Sequence, residues 1–206
     1  DIPQLGITLP AETLRRFWTM VAHYHGQVWN AAEFARSLGS AESTARNYLD
    51  LLYGAYLVRQ LQPWFENLKK RQVKSPKIYV RDSGILHALL GLRTPDAVLD
   101  HPKLGASWEG FAIEQVVIAA GTRDVYFWAT QSGAELDLLI FKNGKRFGFE
   151  MKYADAPGMS KSMRSALSDL ALDYLYLVTP GGESYPLDDR ISVLAVPDIR
   201  SVFANR

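Results

Sequence analysis

Residues 135–153, ELDLLIFKNGKRFGFEMKY, decide the fold. Asn143-Gly144 at its centre is the strongest short hairpin signal, because a two-residue turn of the favoured hand needs two residues that accept positive φ. Such a turn fixes the register, with Lys142 opposite Lys145. Working outward, Leu136, Leu138 and Ile140 oppose Met151, Phe149 and Phe147, which makes one face apolar. The other face carries Glu135, Asp137 and Leu139 opposite Lys152, Glu150 and Gly148. Asp137 is therefore expected across from Glu150, with Cβ atoms about 5 Å apart. Lys152 shares the Glu150 face because the side-chain period of a strand is two.

Two carboxylates at that separation repel by about 3 kcal/mol at an effective dielectric of 20, and by under about 1 kcal/mol in water. On a solvated face the pair costs little. In a cleft it needs a proton or a cation, and two carboxylates with water and phosphate oxygens are what Mg²⁺ prefers. Asp, then Glu-x-Lys, suits metal-assisted phosphodiester hydrolysis, with Lys152 steadying the attacking water or a phosphoryl oxygen. The plainer alternative is a charged outer face on which Glu135 and Lys152 form a cross-strand ion pair.

The rest of the chain limits these readings. At 206 residues it holds one large or two small domains. It has no cysteine, which excludes disulfides and cysteine-based zinc sites and fits a reducing compartment; a cytoplasmic protein is the expectation. The four histidines show no metal-ligand spacing except His23/His25, whose rings diverge on a helix. No run of about 18 apolar residues exists, so no membrane partner is expected, and no signal peptide is visible. The first residue is Asp1, not Met, which reads as a piece of a longer protein or a processed chain. Residues 1–80 hold ten Lys/Arg and six Asp/Glu, net +4, while residues 81–206 hold thirteen and sixteen, net −3. That asymmetry suggests two modules.

Residues 1–64 read as a winged helix-turn-helix. Pro10 and Glu12 open a helix to about Tyr24, and Asn30 is placed to cap a second over 31–38. Gly39-Ser40 breaks the chain before a third helix from 41 to about 53. Its outward residues, Glu42, Ser43, Arg46 and Asn47, include the types that read guanine and adenine edges. Residues 56–61 read as the first wing strand, and Lys69, Lys70, Arg71, Lys74 and Lys77 as phosphate contacts. Packing against a neighbouring domain is the alternative use of such a unit. Residues 65–103 form a connector with a short strand at 77–80, a helix around 84–90 and a loop from Thr94 to Lys103. Residues 104–206 read as helix, three-strand meander, helix, strand. Ser107 is the expected cap of the first helix, with Glu109 in its first turn and Glu114 about 140° further round.

That mixed α/β order resembles the core of the PD-(D/E)XK nuclease superfamily, on the helix glutamate of GASWEGFAIEQV, Asp137 in GAELDLLI and Glu150-x-Lys152 in FEMKY. The longer run of Asp1-Ile2, YLDLLYGAYLVRQLQPW, KIYVRDSGIL, SWEGFAIEQV, W-x-x-x-x-GAELDLLI and FGFEMKY is similar to the C-terminal region of bacterial and archaeal AAA+-type ATPases. In those proteins a P-loop domain precedes a winged helix and a nuclease-like domain. The resemblance implies Asp137 and Glu150 as ligands of Mg²⁺, with Mn²⁺ a substitute, and Glu109 as a further ligand with Glu114 as fallback. It implies Lys152 as the residue that positions water or stabilises phosphate charge, and gives Gln131 a lesser, phosphate-orienting role. It also implies DNA, the ATPase domain and further copies of the chain as partners. This sequence lacks G-x-x-x-x-G-K-[ST], so ATP binding would belong to the longer protein. Two other functions stay open: a non-catalytic module that docks the ATPase and oligomerises, and a helix-turn-helix regulator.

Overall fold

The computed structural model describes residues 11–66, 71–155 and 157–204. Asp1-Ile2, the expected helix opener Pro10 and the expected phosphate contacts Lys69 and Lys70 lie outside the described residues. The fold is mixed α/β. Three helices come first: α1 (Ala11–His23), α2 (Ala31–Leu38) and α3 (Glu42–Gly54), with the two-residue strand β1 (Gln27–Val28) between the first two. The Asn30 side chain accepts from the Glu33 amide at 3.4 Å, and Gly39 closes α2 at φ 64, the left-handed conformation that glycine takes without strain. Phe17, Phe34, Trp29 and Tyr48 fill the space between these helices with edge-on ring contacts.

β2 (Val58–Pro63) and β3 (Lys77–Val80) form an antiparallel pair after α3. β2 starts two residues later than its sequence suggests, because Tyr56 takes φ 60 and lies exposed. The far end of β2 pairs parallel with β4 (Val125–Ala129), so this hairpin is continuous with the C-terminal sheet. Between them lie α4 (Ser83–Leu89), α5 (Pro95–Leu99) and α6 (Leu104–Ala120). Residues 94–103 are therefore not all loop. Thr94 caps α5 through the Ala97 amide at 3.2 Å, and Pro95 fits the first turn, where its missing N–H costs nothing. α6 begins three residues before the expected cap. Ser107 is buried inside it, and its hydroxyl meets Nε2 of His87 at 2.7 Å.

The hairpin of β5 (Glu135–Lys142) and β6 (Lys145–Met151) turns at Asn143 (φ 51) and Gly144 (φ 74), as the primed turn requires. Its register runs from Lys142 opposite Lys145 to Leu138 opposite Phe149. After α7 (Lys161–Asp169), β7 (Tyr174–Thr179) and β9 (Ile191–Ala195) add in parallel, and the short α8 (Ser201–Ala204) follows. Ser160 caps α7 through the Met163 amide at 3.1 Å. β8 (Tyr185–Asp188), exposed along its length, sits at the edge beyond β9. Its Pro186 and polar residues hid it from sequence patterning, and an edge is where a strand tolerates proline.

Among the described residues the sheet has nine strands in the order β1-β3-β2-β4-β5-β6-β7-β9-β8. α6 and α8 cover one face, with Phe127, Leu138, Ile140, Phe147 and Phe149 between. α7 covers the other, over Trp128, Leu136, Leu139, Leu175 and Leu177. No helix among the described residues is long and apolar enough to cross a membrane.

α6 is seated on His25. The Val80 amide donates to its Nδ1 at 3.0 Å, and Nε2 lies 3.1 Å from the Ala106 carbonyl. Burial pulls the His25 pKa down from 6.5 to about 4, against the pull of the Ala106 carbonyl and helped by Lys103 and His87. The folded protein thus keeps His25 neutral while an unfolded chain protonates it below pH 6.5. Its contribution is complete above that value and is lost as the pH falls toward 4, by about 3 kcal/mol in all. Urea unfolding of wild type and His25→Gln at pH 7.5 and 4.5 measures this. The wild type should lose more stability on acidification than the variant, and equal losses would contradict it.

Candidate active site: a buried carboxylate cluster with two lysines

The candidate site forms where β5 and β6 part. Four residues of β5, Leu136 to Leu139, lie against three of β4, Trp128 to Tyr126. This extra residue is a β-bulge, which breaks the alternation and re-aims a side chain. Leu136 consequently packs with Leu139 on the α7 side, away from Leu138 and Ile140. The single apolar face expected for Leu136, Leu138 and Ile140 is therefore split. Beyond Leu138 the backbone ladder with β6 gives way to a side-chain bond, in which the Met151 amide donates to Asp137 Oδ2 at 2.8 Å.

Asp137 and Glu150 are 8% and 7% exposed, so the solvated-face alternative does not hold for them. Burial pushes the Asp137 carboxyl well above the usual range, and the charges of Glu109 and Glu150 push the same way; Lys77 and the Met151 amide oppose them. Burial also raises Glu150, against Lys152. Lys152 Nζ donates to Glu150 Oε1 at 2.9 Å. The Glu135–Lys152 pair of that alternative does not form. Glu135 pairs with Lys77, which leaves Lys152 on Glu150. The other oxygen, Glu150 Oε2, is buried and makes no hydrogen bond.

Lys77 is the residue that sequence reasoning misplaced. Read as a phosphate contact in a basic run, it is buried, and its Nζ lies 3.2 Å from Glu109 Oε1 and on Glu135 Oε1. Tyr79, two residues on and therefore on the same face, donates to that same Glu109 oxygen at 2.5 Å. The signal was present in KIYV, where a lysine and a tyrosine alternate on a strand otherwise made for burial. What the sequence did not carry was the partner of that face, the α6 glutamate that only the folded chain brings to it. Burial alone would lower the Lys77 pKa, but Glu109, Asp137 and Glu135 outweigh it and keep the ammonium charged.

Glu114, the fallback ligand, is committed elsewhere. Arg59 grips it through Nε at 2.5 Å and Nη2 at 3.0 Å, and Arg81 adds Nε at 3.2 Å and Nη2 at 3.1 Å. Glu109 is the α6 glutamate that faces the cluster. Gln131 is exposed, and its backbone N–H donates to the Arg71 carbonyl at 2.8 Å. Ser43, Arg46 and Asn47 are exposed on α3, far in sequence from the cluster, with Arg46 held by Glu42 at 3.2 Å. Arg71 and Lys74 are also exposed. A cavity of about 410 Å³ adjoins Arg46 and Glu42, with Tyr24, Trp29 and Asn30 in its wall. It does not include the buried acids, so the chemistry is argued from the cluster. At the cluster's edge Trp108 contacts Phe111 and Tyr153, with centroids 5.8 and 6.0 Å away, and the latter two are exposed.

Among the described residues no group of three or more His, Asp or Glu is spaced to hold a metal ion. The observation that bears on a cation is the buried Glu150 Oε2, left without a hydrogen bond beside the Asp137 carboxyl. Carboxylate oxygens are the ligands that Mg²⁺ and Mn²⁺ take, with water completing the shell.

Two domains of unknown function match this chain, DUF8612 over residues 1–96 and DUF4143 over residues 104–199. The cluster draws on both regions, with Lys77 and Tyr79 from the first and the carboxylates and Lys152 from the second. At the level of whole proteins, the chain is similar to uncharacterised proteins of Mycobacterium bovis and Mycobacterium tuberculosis, 54% identical to each over 197 residues. The match covers 96% of this chain and 44% of each relative, so the chain spans less than half the length of the curated relatives it matches.

Proposed function

We propose that this chain is a nuclease-like module of a larger ATPase-linked protein, with a divalent-ion site at Asp137 and Glu150 that engages DNA phosphodiesters. The observation that carries this reading is Glu150 Oε2, a carboxylate oxygen buried without a hydrogen bond beside a second buried carboxylate and a lysine. Such an oxygen is costly unless something binds it. A bound Mg²⁺ or Mn²⁺ would supply Lewis-acid polarisation of the phosphate and a more acidic water.

The chain's own residues do the rest. Glu150 Oε1 fixes the Lys152 ammonium, which burial disfavours but the Glu150 charge more than restores. That leaves a positive charge at the mouth for a phosphoryl oxygen. Trp108, Phe111 and Tyr153 offer ring faces there on which a base can stack. The helix pair α2–α3 and the β2–β3 hairpin read as a winged helix, with Ser43, Arg46, Asn47 and Arg71 turned to solvent for DNA. The resemblance to ATPase C-terminal regions supports the ATPase link, and the greater length of the relatives leaves room for such a domain.

Calorimetric titration with Mn²⁺ tests the reading. Wild type should take up the ion, and Glu150→Ala should bind it at least about tenfold more weakly, the loss expected for one ligand of a small set. A second reading, a silent docking module for the ATPase, is favoured by the way Lys77 already neutralises Glu109 and Glu135. Equal or absent uptake in both proteins would move the conclusion there.

A further inference from the structure

We propose that Lys77 is a built-in cation of the cluster that occupies Glu109 and Glu135, the acids a second divalent ion would need. The inference rests on the reading of Asp137 and Glu150 as a divalent-ion site. Two-metal sites clamp the attacking and leaving oxygens with paired cations. Here a lysine already pairs with the two acids outside the Asp137/Glu150 set. Its side chain is 7% exposed, pairs with Glu109 and Glu135, and lies 5.7 Å from the Phe127 ring centre. Glu109 Oε1 already receives both Lys77 and Tyr79.

Because Lys77 comes from the region that matches one domain and the acids from the region that matches the other, the site is complete only when both are folded together.

Mn²⁺ stoichiometry by calorimetry tests this with a readout independent of activity. Wild type should bind one ion per chain, lost in Glu150→Ala and kept in Glu109→Gln. Lys77→Met should bind two, and Lys77→Met/Glu109→Gln should return to one. Two ions in wild type, loss of the wild-type ion in Glu109→Gln, or no added ion in Lys77→Met would each overturn the assignment. Should Lys77→Met fail to fold, the Glu109→Gln titration decides, since a glutamate held by Lys77 does not contribute to the wild-type ion. If wild type binds nothing but Lys77→Met gains an ion that needs Glu109, the Asp137/Glu150 reading fails while Lys77 stands as the resident cation.

Discussion

Gly110→Ala should destabilise the protein by about 3–5 kcal/mol, although alanine is the better helix former by about 1 kcal/mol. A Cβ at Gly110 would lie 2.6 Å from Cε1 of His25, closer still to its Nε2, and 3.2 Å from Cδ1 of Tyr79. Neither ring can step aside. His25 is pinned at both nitrogens by Val80 and Ala106, and Tyr79 is held by Glu109 and packs edge-on against His25 at 5.3 Å. The substitution either moves α6 off the sheet or breaks buried hydrogen bonds at about 1–3 kcal/mol each. A loss of that size is a large share of the roughly 5–15 kcal/mol that holds a domain folded. Gly105→Ala is the control, because a Cβ there meets nothing within 4 Å. Urea unfolding should show Gly105→Ala neutral or stabilised and Gly110→Ala strongly destabilised. Similar midpoints for the two would show that α6 does not rest on His25 in this way.

Glu114→Ala should cost about 3–5 kcal/mol, because it strands two guanidinium groups in a partly buried place. The Arg59 and Arg81 side chains are 16% and 30% exposed, and the glutamate is 6% exposed. Glu114→Gln keeps the acceptor oxygen and should lose less. Neither variant should change the number of Mn²⁺ ions bound when it is titrated under conditions where it is folded. Loss of the ion in Glu114→Gln would restore the role of metal ligand to this residue and contradict the clasp as its use.

Local chemistry was legible in the sequence. Asn143-Gly144 fixed the β5–β6 register, and Asn30, Gly39 and Ser160 marked helix ends where they lie. The limits of that reading are also local. Leu138-Leu139-Ile140 is apolar on both faces, so nothing in β5 revealed the bulge that turns Asp137 toward α6. Glu114 and Glu109 look alike on one helix, and only the folded positions of Arg59, Arg81, Lys77 and Tyr79 tell the clasp from the cluster. All four come from β2, β3 and the turn after it, and no short-range signal announces the parallel pairing of β2 with β4 that brings them there. Thr94-Pro95 was a helix start read as a loop because two prolines, Pro95 and Pro102, flank so short an element.

The most direct measurement is Mn²⁺-dependent cleavage of end-labelled duplex and branched DNA by wild type and Lys152→Met, with chelator controls. A phosphodiester site at this cluster predicts cleavage in wild type that stops on chelation and falls by about 10²-fold or more without the lysine. Cleavage that persists unchanged in Lys152→Met, or none in wild type under conditions where Mn²⁺ is bound, would contradict it.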